Sequence, residues 1–409
     1  MAELTMHEIY NEQYLDDPYP LFQRIREVDP VYWDERMGDD GGWMVTGYEP
    51  AMTALMDPRL TAKRPNWDPS RLPEDSEPEH TDAMTSLNKQ VVVSELPGHT
   101  RIRKLFNRPF MPKPVERMRE EIMKTADRLL DRALVGGSGQ LDAMADFGFA
   151  MPATSLGRVL GIPKKQNYLP WMFSLGMLID DGPVAQKTQP KLLRGVHDYL
   201  EFFRGQIDER RDGAGYDDMM QILADAYTTR EFSDERELHA NLAFLLTAGQ
   251  ISTAHQIGNT IMHLLRAPEL YERLRAEPGL VPAFSPELMR FDASIQLTKR
   301  RVIEPMELGG HELPAGAEIF IWIGAAHRDP DRFIDPDRLD LDREDVTHLT
   351  FGRGIHYCLG AQLGKLVHDI SVQAFLERVP CPRLAVEGKV KRSIMPTFRG
   401  PYQLPVAFG

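Results

Sequence analysis

The sequence predicts a mainly α, helix-rich α+β chain folded as one domain over residues 1–409, on three observations. A helical core reads almost without interruption over about 97–290. Short β-type runs flank it, in an N-terminal part at about 30–47 and again late at about 301–325 and 390–409. Neither an internal repeat nor a shift in composition marks a second domain. With 42% hydrophobic and 27% charged residues, the chain can bury a large core and is not disordered.

The elements follow in order. Asp17-Pro18-Tyr19-Pro20 precedes a helical pattern through Leu21, Phe22 and Ile25. Val31-Tyr32-Trp33 and Trp43-Met44-Val45-Thr46 read as strands joined through Gly41-Gly42, and helix resumes over 50–56. Residues 65–97 are rich in Pro, Asp, Glu and Ser and read as a long loop with room for a short helix, bounded by the apolar run Val91-Val92-Val93. Long loops in compact domains are usually functional or disordered. Turns at Gly136-Gly137, 180–182 and 213–215 punctuate the helical core. The longest uncharged segment, 241–265, exceeds the roughly 20 residues that span a bilayer, but Gln250, Ser252, Thr253, His255, Gln256 and Asn259 lie within it. It predicts a long helix through a protein core. Met306-Glu307-Leu308, Ile319-Phe320-Ile321 and Leu404-Pro405-Val406 read as the late strands, with turns at Gly309-Gly310 and Pro314-Ala315-Gly316.

The net charge of −13 argues against a general nucleic-acid or anionic-membrane surface. Cys358 and Cys381 are too few and too close to form a disulfide framework, which fits a reducing cytoplasm. Residues 1–16 carry Glu3, His7, Glu8 and Glu12 and show no basic segment followed by an apolar stretch. A soluble cytoplasmic monomer is the expectation.

Phe351-Gly352-Arg353-Gly354-Ile355-His356-Tyr357-Cys358-Leu359-Gly360 is the most informative run. A cysteine that ligates a metal must be a thiolate, and beside a flat cofactor it needs backbone N–H groups turned toward the sulfur. Gly352 and Gly354 permit φ > 0 and close approach of the backbone to a large planar ligand, and Gly360 removes a side chain where the helix over 361–367 begins. Every fixed position resembles the haem-binding loop of cytochrome P-450, Phe-Gly-x-Gly-x-His-x-Cys-x-Gly, matched by Phe351, Gly352, Gly354, His356, Cys358 and Gly360. The resemblance implies that fold over essentially the whole chain, with haem b held by the Cys358 thiolate.

Further positions match the family. Glu287-Leu288-Met289-Arg290 is similar to its Glu-x-x-Arg motif, and Pro336-Asp337-Arg338 to the Pro-x-Arg segment expected to complete a buried Glu287, Arg290 and Arg338 clamp. His99 and Arg103, at i and i+4 in Pro97-Gly98-His99-Thr100-Arg101-Ile102-Arg103, match the residues that hold one haem propionate. His356 and one arginine of Lys299-Arg300-Arg301-Val302 match the other contacts, with Arg301 the favoured of the pair because it directly precedes Val302-Ile303.

Ala248-Gly249-Gln250-Ile251-Ser252-Thr253 resembles the family's oxygen-binding groove, whose acid and threonine relay protons. Ile251 and Ser252 stand at those positions, so the hydroxyl is kept and the carboxylate is lost, with Thr253 adjacent. The resemblance implies activation of dioxygen and hydroxylation of a medium-sized apolar or aromatic secondary metabolite, protons arriving through Ser252, water and the substrate. The alternative is oxidative C–C or C–O coupling of aromatic rings or of a cyclic dipeptide without oxygen insertion, since Ile-Ser-Thr is similar to the groove of a tyrosine-coupling family member. A non-catalytic haem-thiolate binding or sensor protein is the alternative from another class. The pocket implied comprises Val91, Val92, Val93, Phe244, Leu245, Ala248, Ser294, Ile295, Gln296, Thr397 and Phe398, each also consistent with core packing. Electrons originating from NAD(P)H are expected through a separate ferredoxin or flavodoxin and its reductase, docking on Lys104, Arg108, Arg353 and Lys365.

Overall fold

The computed structural model describes residues 4–135, 139–163, 166–211, 215–216, 218–385 and 389–409. The turns expected at Gly136-Gly137 and Gly213 lie outside the described residues; the one at 180–182 carries Asp181 at φ 58. The principal helices run α1 Tyr19–Val28, α2 Pro78–Leu87, α3 Gly98–Asn107, α4 Arg119–Val135, α5 Ala150–Leu160, α6 Leu169–Asp180, α7 Pro183–Arg211, α8 Glu235–Arg266, α9 Val281–Phe291 and α10 Ala361–Arg378. The strands are β1 Val31–Asp34, β2 Gly42–Val45, β3 Leu60–Thr61, β4 Gln140–Asp142, β5 Leu297–Val302, β6 Met306–Leu308, β7 His311–Leu313, β8 Glu318–Trp322, β9 Arg383–Leu384 and β10 Pro405–Ala407. The chain gathers into two compact units, Met1–Thr61 with Glu116–Pro152 and Ile251–Gly409, and Ala62–Val115 with Ala153–Gln250. The two interleave along the sequence, so composition shows no break where the contacts do.

The larger unit carries a five-stranded sheet in the order β1-β2-β8-β5-β3. Gly41 turns the β1–β2 hairpin at φ 86, and a Cβ there would lie 2.4 Å from the Trp33 ring, so conformation and space both demand glycine. One face of the sheet buries Val31, Val45, Val302, Ile319 and Ile321 with Phe333 and Leu349. The other buries Met44, Leu297, Phe320 and Trp322 against Leu21, Phe22 and Ile25 of α1. β5 is longer than the strand-like Val302-Ile303 of the sequence, because Lys299-Arg300-Arg301 masks its alternation. β10 pairs with β4, which no sequence signal announced, and its Pro405 opens the strand where a missing N–H is tolerated.

In the smaller unit, α7 packs against α6 and α2. The expected loop over 65–97 is largely helical: 3-10 turns Pro65–Trp67 and Pro69–Arg71, helix α2, and the 3-10 turn Val91–Val93. The prolines that read as loop are the starters of those turns. Pro65, Pro69 and Pro78 each sit in a first turn, where fixed φ helps and the absent N–H costs nothing.

No helix among the described residues is long and apolar enough to cross a membrane. Two polar residues in the C-terminal half of α8, itself part of the larger unit, bond to main chain within that unit: Gln256 accepts from Ser294 N at 3.0 Å, and Asn259 donates to the carbonyls of Asp292 at 3.0 Å and Arg399 at 3.1 Å.

The structure corrects the clamp. Glu287 and Arg290 of α9 are 1% and 0% exposed and pair through both carboxylate oxygens, at 2.6 and 2.9 Å. The second cation on Glu287 is Arg343, with Nε 3.2 Å from Oε2 and a side chain 9% exposed. Arg338 is exposed and supplies only its carbonyl, 3.2 Å from Arg290 Nη2. The turn after Pro336 points the Arg338 side chain to solvent, and the chain returns to Glu287 through the N–H of Asp340 at 3.0 Å and then through Arg343. Glu287→Ala would strand a fully buried guanidinium and is expected to lower unfolding free energy by about 3–5 kcal/mol in urea titrations. Arg338→Ala is expected to change it by less than about 0.5 kcal/mol.

Candidate functional site

The clamp reaches the cysteine loop through histidine. Arg290 Nη1 donates to the carbonyl of His327 at 2.7 Å, and His327 Nε2 accepts from Leu349 N at 2.7 Å. The carbonyl of Leu349 then accepts from Gly352 N at 2.8 Å, and the carbonyl of Phe351 accepts from Cys358 N at 2.8 Å. Thr350 Oγ1 ties the same stretch to the carbonyl of Met289 on α9 at 3.2 Å.

Within the loop, Gly352 and Gly354 both stand at φ 67. At Gly354 a Cβ would lie 2.8 Å from the carbonyl oxygen of Leu55, so any larger residue displaces backbone. At Gly360, by contrast, a Cβ would meet nothing within 4 Å, so packing inside the protein does not account for that glycine. The Cys358 side chain is exposed at the end of the 3-10 turn Gly354–His356, directly before α10. An exposed thiol before a helix N-terminus, on a loop bent by glycines and next to an uncrowded Gly360, fits a flat thiolate-ligated group.

The cations are sorted by strand parity. Arg300 pairs with Ile319 across the sheet and shares its face, the one that packs on Leu349, and it is 8% exposed. Arg301 falls on the opposite face, with its Nε on the carbonyl of Gly316 at 3.0 Å in an exposed position. Adjacent strand residues point to opposite sides, so the inward arginine is Arg300 and the preference for Arg301 is corrected. His356 is half-buried. In the smaller unit, His99 is 2% exposed and Arg103 half-buried, one helical turn apart on α3. Burial, and then Arg103, hold the His99 pKa below its ordinary value.

On α8, Ala248 and Gly249 are half-buried, and a Cβ on Gly249 would lie 2.7 Å from Leu156 Cδ2 of α5. A larger residue there would have to push the Leu156 δ-methyl aside. Ile251 is 5% exposed and Ser252 half-buried. Thr253 points elsewhere: its Oγ1 lies 3.7 Å from the Cβ position of Gly364 on α10, because one residue rotates the helix by about 100°. Thr253 therefore packs against α10, away from Ser252.

Of the other pocket nominees, Val91, Val92 and Phe244 are half-buried, while Val93 and Leu245 are 3% and 8% exposed. Residues 294–296 bridge the last turn through Ile295 and Phe398, with Gln296 N donating to the carbonyl of Thr397 at 3.0 Å. Ser294, Thr397 and Phe398 are buried. The Gln296 amide lies over Gly324, where a Cβ would come within 1.7 Å of Oε1, and Nε2 donates to the carbonyl of Ala293 at 2.8 Å. Ile295 and Gln296 thus face opposite ways, and Gln296 joins Phe22, Trp322 and Arg399 around a cavity of about 10 Å³.

Asp292 was missed by sequence reasoning. It is 1% exposed and accepts from Tyr19 Oη at 2.8 Å and Arg399 Nε at 2.7 Å, with His263 Nε2 at 2.8 Å. Despite burial, Arg399 and then Arg392 hold its pKa well below the ordinary carboxylate value. It fixes both chain segments that carry the 295–398 bridge. The available signal was a carboxylate two residues beyond Arg290, beside a helix with no charge of its own there.

Comparison with known proteins places the whole chain. The cytochrome P450 family model matches residues 64–379. Cytochrome P450 monooxygenase PikC of Streptomyces venezuelae is 31% identical over 97% of this chain and 92% of its own. The structure of P450BioI with a hexadec-9Z-enoic acid ligated acyl carrier protein superposes with a TM-score of 0.87 at 29% identity, covering 97% of this chain and 99% of that one. That of the tirandamycin C-bound monooxygenase TamI gives 0.84 at 29% identity, covering 98% and 99%. Fold and loop together define a haem-thiolate protein. The chain belongs to the cytochrome P450 family and is a member of its monooxygenases.

His327 and His348 give the loop a pH dependence. Burial holds His327 well below its ordinary pKa, and burial, then Arg353, lowers His348 from 6.5 to about 4. Between these values and 6.5 the unfolded chain binds protons that the folded chain refuses, so stability is full above about pH 6.5 and falls as the pH drops toward 4. Each such histidine contributes a slope of about 1.4 kcal/mol per pH unit in that window. His327→Gln, which keeps an acceptor for Leu349 N without titrating, is expected to reduce the slope by about that amount in thermal unfolding measured from pH 7 to 4.5.

Proposed function

We propose that this cytochrome P450 binds haem b through the Cys358 thiolate and hydroxylates a medium-sized apolar or aromatic secondary metabolite. The observation that carries the reading is the exposed Cys358 on its glycine-bent loop, tied by hydrogen bonds to a fully buried ion pair. His356 and Arg300 of the larger unit would serve a propionate as cationic or N–H donors. When bound, the haem supplies dioxygen activation driven by electron density from the thiolate.

The chain's own residues bind, orient and move protons. Ile251 is buried and carries no proton, so the Ser252 hydroxyl, ordered water and a polar group of the substrate form the delivery route. Turnover then depends on a substrate that completes this route. Electrons originate from NAD(P)H and arrive through a separate ferredoxin or flavodoxin. Of the four docking cations considered, Arg353 donates to the carbonyls of Gly352 and His348 at 3.1 and 3.0 Å, and Lys365 pairs with Asp369 at 2.6 Å. Lys104 and Arg108 are exposed and remain candidates.

Ile251 at the acid position also favours a second reading, oxidative coupling of aromatic rings without oxygen insertion. Isotope balance separates the two. With labelled dioxygen and a ferredoxin system, hydroxylation places one labelled oxygen in each product molecule, and Ser252→Ala diverts most reducing equivalents to hydrogen peroxide. Unlabelled coupled product would replace the first reading by the second.

A further inference from the structure

The smaller unit contains a device that neither the motif nor the groove explains. The first two turns of α8 are a polar hub. Asp234 caps the helix, accepting from Glu237 N at 3.0 Å, and pairs with Lys89 Nζ at 2.6 Å. Glu237, 5% exposed, holds Arg101 in a two-pronged pair at 2.8 and 2.6 Å. Between them, Asn241 is 0% exposed and uses its whole amide: Oδ1 accepts from Val91 N at 2.7 Å, and Nδ2 donates to the carbonyls of Lys89 at 2.9 Å and Glu237 at 2.7 Å.

The segment 92–100 is therefore an arch with both feet on α8, one at Lys89 and Val91 and the other at Arg101. Its near foot is the 3-10 turn Val91–Val93. Asn241, Leu245 and Ala248 follow one another at i, i+4 and i+7 on one stripe of α8. Seven residues of helix place the valine turn about 10 Å from Ala248 along that stripe.

We propose that Asn241 is a positioning residue that sets the length of the substrate pocket, by fastening the Val91–Val93 turn across the end of the stripe leading to Ala248. The proposal rests on the reading that this stripe lines the pocket. An apolar substrate extending along α8 toward the helix N-terminus meets the turn after about 10 Å, the length of about two helical turns. The occupant it selects is a compact molecule, and a long unbranched chain is turned away.

Two variants of the holoprotein test this. Asn241→Ala removes the amide. Val91→Pro keeps the amide and removes the N–H it accepts from, together with the valine side chain, at a first-turn position preceded by Gln90 at φ −71 and ψ 142, a conformation that proline tolerates in its neighbour. Hydrogen exchange in peptides covering 89–94 is expected to rise by about tenfold in both variants, the loss of a net hydrogen bond's protection. Binding of 1-alkylimidazoles of increasing chain length, read as a Soret shift, is expected to strengthen roughly fourfold per buried methylene until the chain meets the turn. That break is expected to move to longer chains in both variants. Unchanged exchange in both would overturn the clamp. Raised exchange with an unmoved break would overturn its role in pocket length. A wild-type protein that binds no alkylimidazole would overturn the haem-site reading, and exchange would still decide the clamp.

Discussion

A fully buried guanidinium can be kept charged only if every direction in which its N–H groups point is answered. Arg290 meets that demand with both oxygens of Glu287 and the carbonyls of His327, Pro336 and Arg338. Satisfying it forces the segment 327–343 to wrap around the end of α9. That wrapping presents His327 Nε2 to Leu349 and so fixes where the chain enters the cysteine loop. The desolvation cost of such a pair makes it a poor source of net stability, and its value lies in geometry. Few backbone paths satisfy all five contacts, and the one adopted delivers Cys358 to the start of α10 with its side chain outward.

The loop itself was legible because its requirements are local. Left-handed backbone at two positions, a thiol and a helix start leave a dense trace in ten residues. What was not legible depends on direction more than on residue type. Arg338 and Arg343 are equally cationic, and only the turn between them decides which returns to Glu287. Arg300 and Arg301 differ by one step of a strand whose pairing partner fixes the parity, and the sequence of β5 alone does not contain that register. Thr253 and Gln296 entered the candidate site by adjacency to Ser252 and Ile295, and the direction of the backbone turns each away from its neighbour. The proline-rich segment 65–97 misled for a related reason: proline interrupts a helix but also starts one.

Polar residues inside apolar runs carried more information than their frequency suggests. Asn241 sits in an otherwise apolar stretch of α8 and holds another chain segment by its backbone, as Gln256 and Asn259 do further along. Each spends its amide on main-chain groups that would otherwise be buried without partners. α8 thus organises the loops around it through amides, which carry no charge and are indifferent to pH. Between Asn241 and Gln256 the helix carries hydroxyls at Thr247, Ser252 and Thr253 and no acid, which is why the proposed proton route leans on Ser252 and the substrate.

The central claim is that Cys358, delivered by this chain of contacts, is a thiolate ligand to haem. The carbon-monoxide difference spectrum of the reduced holoprotein tests it most directly. The account predicts the red-shifted Soret band of a thiolate-ligated ferrous carbonyl, its retention in Cys381→Ser and its loss in Cys358→Ser. A purified, haem-loaded wild-type protein showing only the band of a nitrogen-ligated or unligated haem, or a Cys358→Ser variant retaining the thiolate band, would contradict it.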